Sequence, residues 1–254
     1  MTGEGEIEGL GVGELPCQSC EMTVSAMVEP WSVAALAERD LSRSCCVVFD
    51  VLRATTTMVT GLARGVSGFE PVLTVAEALA KRGTGVILGG ERGGERIEGF
   101  DAGNSPLEYD AFTGRHVVIT TTNGTRSLRG AAGAAGVYAA GIVNLGATVR
   151  EIERGPWDEV ILICAGTGDG MALEDVWAAG MMADRLGGER RGDAVEMAVW
   201  ASRRQSALDA LSESTNGRVL LSKGRSAEVE WAAAMDQIDL VARMEGGVVR
   251  RVGT

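Results

Sequence analysis

The chain has 254 residues, of which 45% are hydrophobic, and a formal net charge of −11. That size and composition suit one globular unit with a substantial core, or two closely joined lobes, and exclude disorder as the default. The negative charge argues against nucleic acid or an anionic membrane as a partner, and no apolar stretch is long enough to span a bilayer.

The first 21 residues differ in composition from the rest of the chain. They contain five glycines, five glutamates and no Lys or Arg, so we expect residues 1–21 to form a disordered acidic extension and residues 22–254 to form a single α/β unit. In the extension, Cys17 and Cys20 form a C-x-x-C pair, but no second pair or nearby histidine completes a zinc site. The chain lacks a secretory pattern and its five cysteines form no spaced framework, which favours a cytoplasmic protein with reduced thiols.

Short apolar runs recur along the remaining sequence and predict strands. An alternating segment over residues 23–28 predicts the first strand. Nearly continuous apolar runs predict five more, over residues 45–49, 86–88, 117–121, 137–139 and 160–164. Strands that alternate with helices imply mostly parallel pairing, and continuous apolar strands are typical of a sheet covered on both faces. We therefore expect a three-layer α/β/α fold with a mostly parallel or mixed central sheet.

Local chemistry places two helices. Ser105, Pro106 and Glu108 have the spacing of a capping box with proline at the first helical position, and they predict a helix that begins at Pro106. Apolar residues at positions 173, 176, 177, 180 and 181 predict a second helix over about residues 172–186 that buries this stripe. Glu174 and Asp175 would lie near the N-terminal end of that helix and point elsewhere.

Four segments combine glycines, hydroxyls, carboxylates and arginines directly after apolar runs: residues 50–57, 91–105, 120–126 and 164–175. In an open α/β sheet, ligands bind beyond the carboxyl ends of the strands, where helix N-termini offer free backbone N–H groups. The segments therefore predict a site for an anion and a metal ion. Because the chain is acidic, that site must be locally positive, and Arg53, Arg92 and Arg126 are the candidate cations.

Several other chemistries lack their motifs. There is no G-x-x-x-x-G-K-[ST] sequence for a P-loop and no G-x-S-x-G sequence for a serine triad. Cys164 has no arginine to close a phosphate loop, so we expect a buried residue at a strand end. The single histidine, His116, precedes an apolar run and is expected to be structural or exposed. Acid–base chemistry then falls to carboxylates or to metal-bound water.

The motifs also resemble those of a known family. In order, they are F-D-V-L-R-A-T-T-T (residues 49–57), G-E-R-G-G (90–94), G-F-D-A-G-N-S-P (99–106), T-T-T-N-G-T-R (120–126), C-A-G-T (164–167) and L-E-D (173–175). They resemble the 2-phosphosulfolactate phosphatases from about Met22 to the region of Asp236. The resemblance implies that residues 22–254 are one catalytic unit that uses Mg²⁺ to hydrolyse (2R)-O-phospho-3-sulfolactate to 3-sulfolactate and phosphate.

Roles for individual residues follow from the motifs and the resemblance together. Catalytic roles are expected for Asp50, Arg53, Glu91 and Arg92, and Mg²⁺ ligation for Asp50, Glu174 and Asp175. Contacts to the small anionic phosphorylated substrate are expected from Thr56, Gly103, Asn104, Ser105, Asn123, Gly124 and Arg126. Asp50 is the leading candidate because it ends an apolar strand; its alternative role is to cap the helix that follows.

Some alternatives stay open in the sequence. Either metal-bound water attacks phosphorus or Asp50 attacks first and forms an aspartyl phosphate; Leu52, where the haloacid dehalogenases have a second Asp, favours water. The same residues would also suit an Mg²⁺-dependent phosphatase for another small phosphorylated hydroxy acid. A non-catalytic protein that binds a phosphorylated metabolite is the third alternative. A homodimer is a reasonable expectation for an enzyme of this size.

Overall fold

The computed structural model of the protein describes residues 22–252. The predicted N-terminal extension and the Cys17–Cys20 pair lie outside these residues. The strands are β1 (Thr23–Met27), β2 (Ser44–Phe49), β3 (Gly68–Pro71), β4 (Val86–Arg92), β5 (Glu95–Arg96), β6 (His116–Thr120), β7 (Gly136–Ala140), β8 (Glu159–Cys164), β9 (Glu189–Arg190), β10 (Val241–Glu245) and β11 (Val248–Val252). They form one sheet in the order β5-β4-β6-β3-β11-β10-β7-β2-β8-β1-β9.

Two parallel blocks make up most of this sheet. In one block β4, β6 and β3 are parallel, and in the other β7, β2, β8 and β1 are parallel. The hairpin β10–β11 joins the blocks, with β10 antiparallel to β7 and β11 antiparallel to β3. Three antiparallel pairings in succession mean that the two blocks run in opposite directions. The C-terminal strands therefore lie at the centre of a mixed sheet.

All six strands predicted from the sequence are present. The ends of five of them differ from the prediction by one residue, and β4 continues to Arg92. The prediction missed β3, whose four residues include a glycine, a glutamate and a proline. It also missed the two-residue strands β5 and β9 and the hairpin strands β10 and β11. Two glycines with positive φ, Gly246 and Gly247, connect β10 and β11, as a tight hairpin turn requires.

Helices cover both faces of the sheet, which confirms the three-layer α/β/α prediction. They are α1 (Ala54–Ala63), α2 (Val75–Ala80), α3 (Gly124–Gly130), α4 (Leu145–Glu153), α5 (Leu173–Arg185), α6 (Asp193–Arg204), α7 (Ala207–Glu213), α8 (Thr215–Ser222) and α9 (Ser226–Ala233), with 3₁₀ helices at Pro30–Glu38, Asp110–Phe112 and Ile142–Asn144. Among the residues described, no helix is long and apolar enough to cross a membrane.

The alternation of side chains along β2 shows how the sheet separates two cores. Cys45, Val47 and Phe49 pack with apolar residues of helices α4 to α9. Cys46 and Val48 pack on the other face with residues of α1, α3 and the first 3₁₀ helix. This second core contains residues of both parallel blocks. The sheet therefore curves around α1 and α3, which pack against both parallel blocks.

The two helix predictions fare differently. No α-helix begins at Pro106, because residues 106–107 form a turn and a short 3₁₀ helix follows at Asp110–Phe112. The carboxylate of Glu108 accepts a hydrogen bond from the Gly103 N–H at 2.7 Å instead of closing a capping box at Ser105. The prediction for residues 172–186 is confirmed by α5, and its apolar stripe is buried or packed against the core except at Leu173, which is exposed. Glu174 and Asp175, which the pattern left off the buried face, are also buried.

Candidate active site

A cavity of about 230 Å³ lies between the two parallel blocks of the sheet. Its lining residues are Asp50, Leu52, Arg53, Glu91, Gly93, Gly94, Asn104, Thr122, Asn123, Gly166, Thr167, Gly168, Asn216, Val219 and Leu220. The loops after β2 and β8 come from one block, and the loops after β4 and β6 come from the other. In a flat sheet these carboxyl ends would lie at opposite edges, so the curvature of the sheet is what brings them together.

Asp50 follows β2 directly and is the first residue of the following loop to line the cavity. Its carboxylate Oδ1 accepts a hydrogen bond from the Ala54 N–H at 2.9 Å, at the beginning of α1. The Thr55 hydroxyl and backbone close the same turn by hydrogen bonds to the Asp50 backbone. A Cβ atom at Gly124, the first residue of α3, would overlap the Asp50 carboxylate, so only glycine fits there. Asp50 thus joins the ends of α1 and α3 as well as lining the cavity.

Glu91, at the end of β4, is the second buried carboxylate in the lining. Its Oε1 accepts hydrogen bonds from the N–H and the hydroxyl of Thr122, at 2.9 and 3.0 Å. Its Oε2 accepts one from the Gly94 N–H at 2.7 Å. Glu91 therefore fixes both the tight turn after β4 and the loop after β6.

The two acidic residues of α5 lie side by side but have different surroundings. Both carboxylate oxygens of Asp175 accept backbone N–H groups, from Val51 at 2.8 Å and Gly166 at 2.9 Å. Glu174 Oε1 accepts a hydrogen bond from the Asn216 amide at 2.6 Å. Glu174 Oε2 is buried and has no hydrogen-bond partner among the residues described. Asp175 therefore holds two loops together, whereas Glu174 retains one free oxygen.

These acids are mutually repulsive and shielded from water. The pKa of Asp50 is raised from 3.8 to about 6, mainly by burial and also by the nearby charges of Glu91 and Glu174, although the N–H groups of Ala54 and Gly124 oppose the shift. Burial also raises the pKa of Glu174 and, with the charges of Glu174 and Asp50, that of Asp175. Such an acidic cluster is a place where a bound cation would lower the electrostatic free energy.

The donor atoms fit a hard divalent cation such as Mg²⁺. Asn104 Oδ1 and Glu174 Oε2 are both buried oxygens without a hydrogen-bond partner in residues 22–252, and Asp50 contributes a carboxylate to the cavity lining. No group of three or more His, Cys, Asp or Glu side chains in this part of the chain is arranged to hold a metal ion by itself. Mg²⁺ often keeps several waters and takes only one or two carboxylates, which is compatible with this arrangement.

Arg53 is the cationic side chain in the lining. It is buried, and its Nη1 donates to Glu228 Oε2 of α9 at 2.7 Å. Its Nη2 donates to the Gly94 carbonyl at 2.9 Å, across the cavity in the other block. The guanidinium is thereby fixed between two elements that are far apart in the sequence.

The other two predicted cations do not line the cavity. Arg92 is exposed and turns back to donate to the Glu91 and Thr120 carbonyls and to the Thr120 hydroxyl. Arg126 is exposed on α3. The structure therefore does not assemble the expected pocket of three arginines.

The predicted substrate contacts divide into cavity residues and supporting residues. Asn104 and Asn123 line the cavity, and the Asn123 amide donates to the Ala165 and Gly168 carbonyls at 2.7 and 2.9 Å. The Thr56 hydroxyl donates to the Val51 carbonyl, within its own loop. Gly103 and Ser105 are buried beside Asn104 but not in the lining.

Two residues set aside in the sequence have the expected surroundings. Cys164 is buried at the end of β8, and burial raises the pKa of its thiol well above the usual range. His116 begins β6, and its Nε2 lies 3.2 Å from Glu70 Oε2, away from the cavity lining. Both predictions, a buried strand-end cysteine and a structural histidine, are confirmed.

Sequence reasoning missed the contribution of the C-terminal helices. Asn216 of α8 donates to both Glu174 Oε1 and the Thr167 hydroxyl at 2.6 Å, and Val219 and Leu220 form an apolar wall. Glu228 of α9 provides the partner for Arg53. The only local signal is a polar residue in the first turn of each helix, which is common in helices without any site.

Comparison with known proteins links this cavity to a family. A family model described as 2-phosphosulpholactate phosphatase matches residues 32–247, which include every residue of the cavity lining. A probable 2-phosphosulfolactate phosphatase of Thermotoga petrophila is 38% identical over 206 residues, covering 80% of this chain and 89% of its own. Proteins with the same name from Carboxydothermus hydrogenoformans and Deinococcus radiodurans are 37% identical over 200 residues and 40% identical over 210 residues, covering 77% and 79% of this chain and 84% and 88% of theirs.

Proposed function

The chain belongs to the 2-phosphosulfolactate phosphatase family and is a phosphoric monoester hydrolase, and we propose that it hydrolyses (2R)-O-phospho-3-sulfolactate to 3-sulfolactate and phosphate with Mg²⁺. One observation carries the proposal: all four polar segments meet at a single cavity that holds buried carboxylates and a fixed arginine. Hydrolysis of a phosphate monoester needs those parts, because most of its catalysis comes from positioning and from neutralising charge on the phosphoryl oxygens.

Arg53 and two glycine-rich turns would receive the phosphoryl group. The Arg53 guanidinium keeps a fixed position because Glu228 and the Gly94 carbonyl hold it at 2.7 and 2.9 Å. Residues 93–94 and 166–168 line the cavity and include four glycines, which let an anion approach the backbone closely. Fixed donors of this kind do not have to reorganise during the reaction.

Asp50, Glu174 and Asn104 are the residues that would hold Mg²⁺, because each presents a side-chain oxygen in or beside the cavity and two of these oxygens have no other partner in the described chain. When bound, the ion supplies a Lewis acid that neutralises charge on the phosphoryl oxygens. Asp175 supports this set indirectly: its hydrogen bonds to Val51 and Gly166 hold the loops on either side.

Asp50 is also suited to handle the proton of the attacking water. Burial raises its pKa to about 6, so the carboxylate is a stronger base than an exposed Asp and still largely ionised at neutral pH. Its Oδ1 is fixed by the Ala54 N–H at 2.9 Å. Asp50 would orient the water and accept its proton as the water oxygen bonds to phosphorus; the P–O ester bond breaks, and the leaving oxygen takes up a proton from solvent.

Comparison of three phosphate esters tests the substrate. Purified protein with Mg²⁺ should release phosphate from 2-phosphosulfolactate at least about tenfold more efficiently, by kcat/KM, than from phospholactate or phosphoglycolate, since a hydrogen bond to a charged group is worth about 1.5–3 kcal/mol. Equal kcat/KM for all three esters would support phosphatase activity but reject 2-phosphosulfolactate as the specific substrate, in favour of another small phosphorylated hydroxy acid. Binding without release from any ester would contradict the proposal and favour a metabolite-binding protein.

A further inference from the structure

The charged residues of the cavity lining do not balance the charge of the proposed substrate. The lining contains two carboxylates, Asp50 and Glu91, and one cation, Arg53. Arg53 is already paired with the buried carboxylate of Glu228. A molecule that carries phosphate, carboxylate and sulfonate therefore needs positive charge beyond Arg53, and one bound Mg²⁺ would be largely compensated by the carboxylates around it.

Two further cations lie at the rim, in the segment that connects α8 to α9. Lys223 Nζ is 2.5 Å from Glu95 Oε1, and Arg225 Nη2 is 3.3 Å from Glu95 Oε2. The two side chains thus contact two different oxygens of one anionic group. Glu95 belongs to the short strand β5, immediately after the glycines that line the cavity.

The Gly94 carbonyl connects this rim to the interior of the cavity. Arg53 donates to that oxygen at 2.9 Å and Arg225 donates to it at 3.3 Å, so one cation of the cavity and one of the rim touch the same atom. Lys223 Nζ lies 3.8 Å from the position that a Cβ atom of Gly94 would occupy. An anion held by Lys223 and Arg225 is therefore adjacent to the phosphate position at Arg53.

Glu95 is placed so that a ligand could replace it. Its side chain is 59% exposed, and the hydrogen bond and charge of Lys223 lower its pKa, with a further contribution from Arg225. An exposed ion pair of this kind contributes little to stability, since water competes for both partners. The Glu95 carboxylate can therefore rotate into solvent at small cost when another oxyanion arrives.

We propose that Lys223 and Arg225 form a second anion subsite that binds the sulfonate of the substrate, and that Glu95 occupies this subsite when no substrate is bound. The inference rests on the proposed function. The phosphate and the carboxylate share one carbon of the substrate, whereas the sulfonate lies on the next carbon. With the phosphate at Arg53, the sulfonate is the group that extends towards the rim.

The test compares 2-phosphosulfolactate with phospholactate, which lacks only the sulfonate. In the double variant Lys223→Ala/Arg225→Gln, kcat/KM for 2-phosphosulfolactate should fall by about tenfold or more, and kcat/KM for phospholactate should change by less than about twofold. Lys81→Ala/Arg150→Ala is the control, because it removes two ion pairs, with Glu70 and Asp239, whose residues do not line the cavity. An equal loss for both esters would overturn the sulfonate subsite.

The variant Glu95→Gln distinguishes a subsite that binds the sulfonate from ion pairs that only stabilise the β4–β5 turn. If Glu95 competes with the sulfonate, this variant should lower KM for 2-phosphosulfolactate by about two- to fivefold and leave KM for phospholactate unchanged. If the ion pairs only hold the β4–β5 turn in place, the variant should impair both esters, which would contradict the proposal.

A binding measurement with the two dephosphorylated products, with and without the sulfonate, tests the subsite independently of the proposed function. Calorimetry with 3-sulfolactate and with lactate measures the subsite even if no ester is hydrolysed. Wild-type protein should bind 3-sulfolactate at least about fivefold more tightly than lactate, and the Lys223→Ala/Arg225→Gln variant should lose that difference. A wild type that does not distinguish the two molecules, or a variant that keeps the difference, would reject the subsite.

Discussion

At the scale of single residues, the carboxylates of the site each have a second task in the fold. Asp50 accepts the first N–H of α1, Glu91 accepts N–H groups of Gly94 and Thr122, and Asp175 accepts those of Val51 and Gly166. Loop N–H groups at strand ends would otherwise be buried without partners, at a cost of about 1–3 kcal/mol each. The same acids therefore stabilise the loops and create the negative field of the cavity.

Asp50→Asn should stabilise the metal-free protein at neutral pH while it removes activity. In the folded protein the pKa of Asp50 is raised from 3.8 to about 6, mainly by burial. Neutral Asp50 therefore stabilises the fold fully below about pH 4, and this stabilisation is lost as the pH rises through about 6. The variant stays neutral, so it should be more stable than wild type by about 3 kcal/mol at pH 7.5 and by only about 1 kcal/mol at pH 4.5.

Urea unfolding in chelator at both pH values measures this difference. Asp239→Asn, at an exposed position, is the control and should show no such pH dependence. A stability difference between Asp50→Asn and wild type that is the same at pH 4.5 and pH 7.5 would mean that Asp50 does not titrate as a buried acid.

The buried pair Arg53–Glu228 should behave as one unit. Only 6% and 10% of the two side chains are exposed, so removing one partner leaves a buried charge without compensation. Arg53→Met or Glu228→Leu alone should each cost about 3–5 kcal/mol of unfolding free energy, whereas the double variant should cost much less than the sum. A double-mutant cycle by urea unfolding measures the coupling, and additive losses would show that the two charges are independently solvated.

At the scale of elements, close contact between α5 and α6 fixes the position of the acidic pair. A Cβ atom at Gly180 of α5 would overlap the backbone of α6 at Ala198. Glycine is otherwise unfavourable in a helix interior, so at this position it allows the two helices to approach. This contact supports the helix whose first turn carries Glu174 and Asp175.

Gly180→Ala should therefore destabilise the protein although alanine has the higher helix propensity. We expect a loss of about 2 kcal/mol from overpacking, together with a lower activity because α5 must shift. Gly133→Ala is the control, since a Cβ atom there would meet no heavy atom within 4 Å and should have little effect. Thermal unfolding of both variants and of the wild type measures this effect. A Gly180→Ala variant that is as stable as the wild type, or more stable, would show that the helices do not need this close approach.

Sequence pattern predicted elements well where one physical effect dominates. The strands β2, β6 and β8 contain continuous apolar runs because both faces of the sheet are covered, and that pattern is unambiguous. The capping box at Ser105 failed because the Glu108 carboxylate accepts a hydrogen bond from another local N–H group, that of Gly103, five residues earlier. The apolar stripe of α5 was predicted correctly apart from Leu173, but the burial of Glu174 and Asp175 was not, because the pattern assumed that only apolar side chains face inward.

At the scale of the whole molecule, the C-terminal hairpin determines whether there is a site at all. The hairpin β10–β11 is the only part of the described sheet that joins the two parallel blocks, by pairing with β7 and β3. Asp50 and Arg53 belong to one block, and Glu91 and Gly94 belong to the other. The cavity between them depends on strands that come last in the chain and contribute no lining residue.

Deleting the hairpin should abolish folding rather than leave an active fragment. A chain that ends after residue 239 would expose the edges of β7 and β3 and lose the connection between the blocks, so we expect no cooperative unfolding transition and no phosphatase activity. A chain that ends at residue 252 is the control and should match the full-length protein. A shortened chain that still unfolds cooperatively and hydrolyses an ester would show that the blocks associate without the hairpin.

The sequence revealed the parts of the site more readily than their assembly. Asp50, Arg53, Glu91 and Asn123 could be selected because each follows an apolar strand in a segment rich in glycine and hydroxyl groups. Their assembly between two opposed blocks depends on long-range pairing of the hairpin, which no local pattern encodes. The contributions of Asn216 and Glu228 were missed because helices α8 and α9 have no preceding strand to mark them.

Phosphate release from 2-phosphosulfolactate tests the central claim most directly. The assay compares wild-type protein and Asp50→Asn, each with Mg²⁺ and after removal of divalent cations by excess chelator. We predict rapid release by the wild type with Mg²⁺, a loss of at least about a hundredfold with chelator that added Mg²⁺ restores, and no measurable release by Asp50→Asn. Undiminished release in chelator, or full activity of the folded Asp50→Asn variant, would contradict the account of this cavity as an Mg²⁺-dependent phosphatase site built around Asp50.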